Sequence, residues 1–164
     1  MVYVRLTTIK CRVKCRADTG LSARLSCKMM EELYREILLD HFEHPRGRGE
    51  MSDAEIVEHL LNPLCGDEVT VFAKNGDSPS EVAFTGRGCT ISQASASMMS
   101  ERLSGMSRSE QLEEISRFIG MMRGGEEDES LGELVALKHI ISAPNRIRCA
   151  TLAWEALQKG LEKE

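Results

Sequence analysis

Six cysteines are spread over 164 residues, and three of them stand where the chain turns. Cys65 lies in Asn62-Pro63-Leu64-Cys65-Gly66-Asp67, Cys89 in Gly86-Arg87-Gly88-Cys89-Thr90-Ile91-Ser92-Gln93, and Cys149 in Ser142-Ala143-Pro144-Asn145-Arg146-Ile147-Arg148-Cys149. In the first segment Cys65 and Asp67 are two apart, so they project to the same side as the chain enters a strand. Gly66 between them removes a side chain that would crowd a bound ion or an incoming partner. In the second, two glycines make a tight strand-to-helix turn. Thr90 and Gln93 have the spacing of a capping box, which sets Cys89 just before the N-cap, where the positive end of a helix favours thiolate. In the third, Pro144 fits the first turn of a final helix. Cys149 then falls roughly 110° from the apolar stripe Ile147, Ala150, Trp154, Leu157 and Leu161, flanking the core rather than filling it.

Three thiolates and one carboxylate complete a tetrahedral shell for zinc. The bound unit carries about -2, and Arg146 and Arg148 beside Cys149 would offset that charge. Any one of these cysteines is compatible with ordinary packing. Their combination, with Asp67 and the glycine turns, reads as a site.

The elements that must position them follow from period. From Glu31 the residues Leu33, Ile37, Leu38 and Phe42 keep the three-and-four spacing of a helix that Pro45 and Gly47 end. His41 and His44 fall at its polar end and read as surface residues. Ile56 to Leu61 reads as a strand, Val69, Val71 and Ala73 share one face of a second, and Val82 and Phe84 one face of a third. The cluster Asn75-Gly76-Asp77-Ser78-Pro79 has hairpin chemistry. After Cys89 the pattern is helical, with breaks at Gly105, at Gly124-Gly125 and before Pro144. Strands followed by helices predict an α+β domain, a small three-stranded antiparallel sheet covered on one face by helices. Met98, Met99, Met121 and Met122 sit among apolar neighbours as core fillers. His139, ten residues before Cys149, reads as solvated rather than as a ligand.

Composition bounds the rest. An apolar fraction of 41% over this length suits one domain. The apolar runs are far below the roughly 20 residues that cross a bilayer, so no membrane partner is expected. Residues 1–28 carry seven Lys or Arg against the single Asp18, leaving 14 bases and 25 acids in residues 29–164. Residues 1–28 therefore read as a basic N-terminal appendage, disordered or not native, and 29–164 as the domain. Cys11, Cys15 and Cys27 within the appendage lack a fourth ligand. An acidic body argues against nucleic acid. Without a secretory signal, spaced cysteines suggest reduced thiols in a cytoplasmic setting.

The three cysteine segments, with the second continued through Ala94-Ser95-Ala96-Ser97-Met98-Met99 and the third through Ala150-Thr151-Leu152-Ala153-Trp154, resemble the NifU N-terminal, IscU and SufU family of iron–sulfur cluster assembly proteins from about Met30 to Gly160. Arg148 stands where IscU scaffolds have a His before the last cysteine, and the stretch from Cys89 to Cys149 is longer, two features similar to the SufU branch. The resemblance implies zinc held by Cys65, Asp67, Cys89 and Cys149. It also implies sulfurtransferase activity, with persulfide sulfur passing from a PLP-dependent, SufS-type cysteine desulfurase to Cys65 once a desulfurase side chain has displaced that thiolate from the metal. The sulfur would then serve the downstream assembly machinery. The alternative it leaves open is an IscU-type scaffold assembling and transferring a [2Fe–2S] cluster on the same residues.

Overall fold

The computed structural model describes residues 21–74 and 80–163, the first seven of them by backbone alone. Its elements are α1 (Leu21–Glu43), β1 (Ile56–Asn62), β2 (Asp67–Ala73), β3 (Val82–Arg87), α2 (Thr90–Leu103), α3 (Arg108–Met122), a 3₁₀ segment (Glu129–Ser142) and α4 (Pro144–Glu162). The chain divides into two compact units, Met1–Leu33 and Tyr34–Glu164, and α1 begins in the first and ends in the second. That helix opens ahead of Glu31, where its apolar period begins. Leu21 to Lys28 supply Leu, Ala, Arg and Lys, good helix formers without an amphipathic repeat, so periodicity alone does not register them. Residues 1–20, with Cys11 and Cys15, and the hairpin cluster Asn75–Pro79 lie outside the described residues.

The α+β expectation holds. The strands form one antiparallel sheet in the order β1-β2-β3, with Asn62 opposite Asp67 and Val71 opposite both Glu58 and Phe84. Alternation sorts the faces. Ile56, Val69, Val71, Ala73, Val82 and Phe84 are buried on the side covered by α4 and α2, while Val57 and Leu61 are more than half exposed on the other. The far edge of β3 is occupied by residues 47–49, where the Gly49 N–H donates to Phe84 O and the Phe84 N–H to Gly47 O, each at 2.9 Å. Gly47 is required there: its φ is +65°, and a Cβ would lie 1.7 Å from Ser100 Oγ.

Helix α2 reaches its neighbours through small residues. Ser95 Oγ donates to Ala150 O at 2.6 Å and accepts from Trp154 Nε1 at 3.0 Å, pinning the first turns of α4 to α2. Trp154 also stacks on Phe118 with ring centroids 4.1 Å apart, and the four methionines named above are buried with them. His41 corrects the surface reading. It is 3% exposed, with Nδ1 at 2.9 Å from Ser97 Oγ, a partner 56 residues away that local pattern cannot reveal. His44 is exposed beside Asp40 at 3.3 Å, and the exposed His139 lies with its ring 4.6 Å from that of Tyr34.

Removing the Ser95 hydroxyl strands the Trp154 indole N–H in the core. Ser95→Ala is therefore expected to cost about 1–3 kcal/mol, measured as a lowered urea midpoint with an unchanged slope.

Candidate functional site

The turn between β1 and β2 is organised by Asn62, whose main-chain carbonyl accepts from the N–H groups of Gly66 at 2.8 Å and Cys65 at 3.4 Å. Its side-chain Oδ1 accepts from Leu64 N at 3.2 Å, an Asx turn. Gly66 completes the turn at φ +74°. Cys65 is thereby held exposed at the tip, with Leu64 and Leu61 exposed beside it. Asn62 also turns Nδ2 toward Cys149 Sγ at 3.7 Å. No such role is attached to it from the motif alone, although Asn ahead of a Pro-containing turn is the local signal for an Asx turn.

Asp67, the first residue of β2, is 3% exposed. The N–H of Cys89 donates to its Oδ1 at 3.1 Å and the Cys89 thiol to its Oδ2 at 3.3 Å. Gly88 makes this contact possible, because a Cβ there would sit 2.8 Å from Asp67 Cγ and 2.9 Å from Oδ1. Cys89 is itself the N-cap of α2, its sulfur accepting from Ser92 N at 3.5 Å. The anticipated capping box between Thr90 and Gln93 is replaced by this thiol cap, and the buried Gln93 side-chain Nε2 and Oε1 have no hydrogen-bond partner among the described residues.

Cys149 is 4% exposed, on α4's second turn, with Sγ 3.3 Å from Cys65 Sγ and 3.8 Å from Asn145 O. Ligand atoms of Cys65, Asp67 and Cys149 all lie within 4.8 Å of one another, and Cys89 joins them through Asp67. Three of the four sequence-assigned residues thus group their ligand atoms at one end of the sheet, while Cys89 stands outside that group and touches it through Asp67. Arg146 and Arg148 are exposed on the first turns of α4. In a tetrahedral zinc shell two thiolate sulfurs stand about 3.8 Å apart, so the donor set suits such an ion, and the two sulfurs, 3.3 Å apart here, would widen by about half an ångström to take it.

The electrostatics single out Asp67 and Cys149. Burial pushes the Asp67 carboxyl up, but hydrogen bonds from the Cys149 and Cys65 thiols and the Cys89 N–H outweigh it and hold the group below its ordinary value. Burial is also the largest influence on Cys149, and with the hydrogen bonds to Asp67 and Cys65 it drives that thiol well above its ordinary 9.0. A bound dication reverses this preference by favouring thiolate.

The fold and the site together define a small α+β protein with thiols and a carboxylate gathered where they could hold a metal ion. The family model of the NifU-like N-terminal domain matches residues 33–163. Zinc-dependent sulfurtransferase SufU of Bacillus subtilis (strain 168) is 41% identical over 138 residues, covering 82% of this chain and 93% of the relative. Iron–sulfur cluster assembly scaffold protein IscU of Streptococcus pyogenes serotype M1 is 36% identical, over 85% of this chain and 89% of that one. The crystal structure of FiSufU from Fervidobacterium islandicum AW-1, whose name assigns it to the SUF system, superposes with a TM-score of 0.73 at 33% identity over 80% of this chain and 98% of its own. The chain belongs to the NifU-like N-terminal domain family, which includes the SufU and IscU proteins of iron–sulfur cluster assembly. No helix among the described residues is long and apolar enough to cross a membrane.

Gly88→Ala is expected to displace the Asp67 carboxylate and weaken the binding of added divalent metal at least tenfold with the fold retained, as read by chelator competition and circular dichroism. The metal-free protein should lose stability as pH rises through 9. Its folded Cys149 keeps a proton that the unfolded chain releases, so folding is favoured below the unfolded value and less so above it. Urea midpoints from pH 7.5 to 10 would show the fall, and Cys149→Ala should flatten it.

Proposed function

We propose that this chain is a zinc-dependent sulfur acceptor of the SufU type, receiving the terminal sulfur of a persulfide from a SufS-type cysteine desulfurase on Cys65 and passing it to cytoplasmic iron–sulfur cluster assembly. The observation that carries this is the unequal exposure of the thiols: Cys65 is exposed at the tip of a turn, Cys89 is half-buried and Cys149 buried. A protein-borne persulfide reaches only the first. When bound by Cys65, Asp67, Cys89 and Cys149, zinc would supply the positive charge that keeps these thiols deprotonated.

The chain's own residues then divide the work. The turn built on Asn62 presents Cys65. Its thiolate attacks the outer sulfur of the donor persulfide, the donor S–S bond breaks, and the donor leaves as a thiolate while Cys65 becomes the persulfide, so sulfur moves without net oxidation. Asp67, Cys89 and Cys149 are holders, fixed by β2, the α2 N-terminus and α4. Arg146 and Arg148 offset the negative charge of the shell, and the fixed guanidinium of Arg148 cannot exchange as a ligand.

The second reading, assembly of a [2Fe–2S] cluster on the same residues, is favoured by the scaffold names of the IscU relatives. One experiment separates the two. The rate of cysteine desulfuration by a SufS-type enzyme is expected to rise on adding the zinc-loaded chain. Cys65→Ser should abolish that rise and leave no persulfide in mass spectra, whereas Cys89→Ser and Cys149→Ser should chiefly lose zinc and stability. Persulfide on Cys89 in preference to Cys65, or unchanged turnover together with a stable, transferable cluster after reconstitution with iron and sulfide, would overturn the sulfur-acceptor reading.

A further inference from the structure

A second group of metal-ligating side chains stands away from the thiols, toward the other end of α2. A cavity of about 390 Å³ is lined by His41, Met98, Glu101, Arg102, Leu131, Glu133 and Leu134. At 1.5 Å per residue, Glu101 lies about 18 Å along the helix from Cys89. We propose that His41, Glu101 and Glu133 form a nitrogen-and-oxygen site for a divalent first-row transition ion, distinct from the thiol site and independent of the reading given above for Cys65.

The imidazole is the built element. His41 is 3% exposed, and its ring is oriented through Nδ1 by Ser97 Oγ at 2.9 Å, a hydroxyl itself fixed by accepting from Arg46 N at 2.8 Å. In the tautomer whose Nδ1–H donates to the Ser97 oxygen, Nε2 is the nitrogen left to ligate, which is the arrangement of metal-ligating imidazoles. Nε2 faces two carboxylates from different elements, Glu101 Oε2 at 3.6 Å and Glu133 Oε2 at 3.7 Å. Both gaps are too long for good hydrogen bonds. An interposed ion with bonds of about 2.1 Å spreads nitrogen and oxygen to about 3.4 Å in a tetrahedral shell. The two carboxylates do not converge as the atoms of Cys65, Asp67 and Cys149 do, and being 54% and 68% exposed at their side chains they are the parts that would close on the ion.

Glu133 is presented by a backbone feature otherwise without a role. Gly132 adopts φ 60°, ψ -125° inside the 3₁₀ segment and breaks its course immediately before that residue. The nearby cations are already engaged. Arg102 Nε donates to Glu114 at 2.6 Å and its NH2 to Ser130 O at 2.9 Å, while Arg46 is 2.5 Å from Asp40 and only 3.8 Å from Glu101. One neutral nitrogen with two carboxylates suits zinc, manganese, iron(II) or cobalt(II) better than the all-oxygen ions calcium and magnesium.

Cobalt(II) is the probe. The full chain is loaded with zinc, then titrated with cobalt(II) under calorimetry and absorption spectroscopy. One further equivalent is expected, with visible d–d bands but without the intense near-ultraviolet band of sulfur-to-cobalt charge transfer. Glu101→Gln and Glu133→Gln should each weaken it at least tenfold and His41→Gln should remove it. Should His41→Gln fail to fold, the two glutamate variants decide alone, since both side chains are more than half exposed. Absence of the further equivalent, a sulfur band accompanying it, or unchanged affinity in both glutamate variants would overturn the proposal. If the thiol site fails to hold zinc, cobalt fills it first with the sulfur band, and the nitrogen–oxygen equivalent is counted after it.

Discussion

The arrangement of this protein turns on one buried carboxylate. Asp67 begins β2 almost wholly out of water, and a carboxylate so placed is costly unless every lone pair finds a donor. The donors come from elsewhere in the chain: the main-chain N–H and thiol of Cys89, 22 residues on. That pairing fixes where β3 must hand over to α2, forbids a side chain at position 88, and brings the positive end of α2 onto the negative group. The remaining thiols fall around the same carboxylate.

What keeps the arrangement rigid is the close approach of α2 to its neighbours. Ser92, Ser95, Ser97 and Ser100 are all buried. Three of them bond outside the helix through their hydroxyl oxygens: Ser95 donates to Ala150 O of α4, Ser100 donates to Val82 O of β3, and Ser97 pairs with His41 Nδ1 of α1. Larger residues would hold the elements apart, and apolar small ones would leave buried acceptors unpaired. Gly160 does the same for α4, where a Cβ would lie 2.4 Å from Ile56 Cγ2.

Much of this is legible in the chain because the signals are local. Alternation at Val69, Val71, Ala73, Val82 and Phe84 gives the strands, and the two-residue spacing of Cys65 and Asp67 and the late position of Cys149 point to three residues that gather at the end of the sheet, although Cys149 is buried rather than at the surface. What escapes local reading rests on partners distant in sequence or on unusual chemistry. Thiols rank low among N-caps, so Thr90 looks the better candidate although Cys89 takes the place. His41 carries a surface pattern and is buried by Ser97, 56 positions away. The 3₁₀ course of Glu129–Ser142 with its break at Gly132 has no period to announce it.

The four ligands also impose an order in time. Two come from the first hairpin turn, one from the start of α2 and the last from α4, 60 residues after Cys89. Closing that span is entropically unfavourable until the helices dock. Domains fold as the chain emerges from its N-terminal side, so a growing chain presents two thiols and a carboxylate well before the shell is complete. With the four-residue shell proposed above, selective metal capture would wait for α4, and an ion held there would tie the first hairpin to the last helix in one cooperative unit.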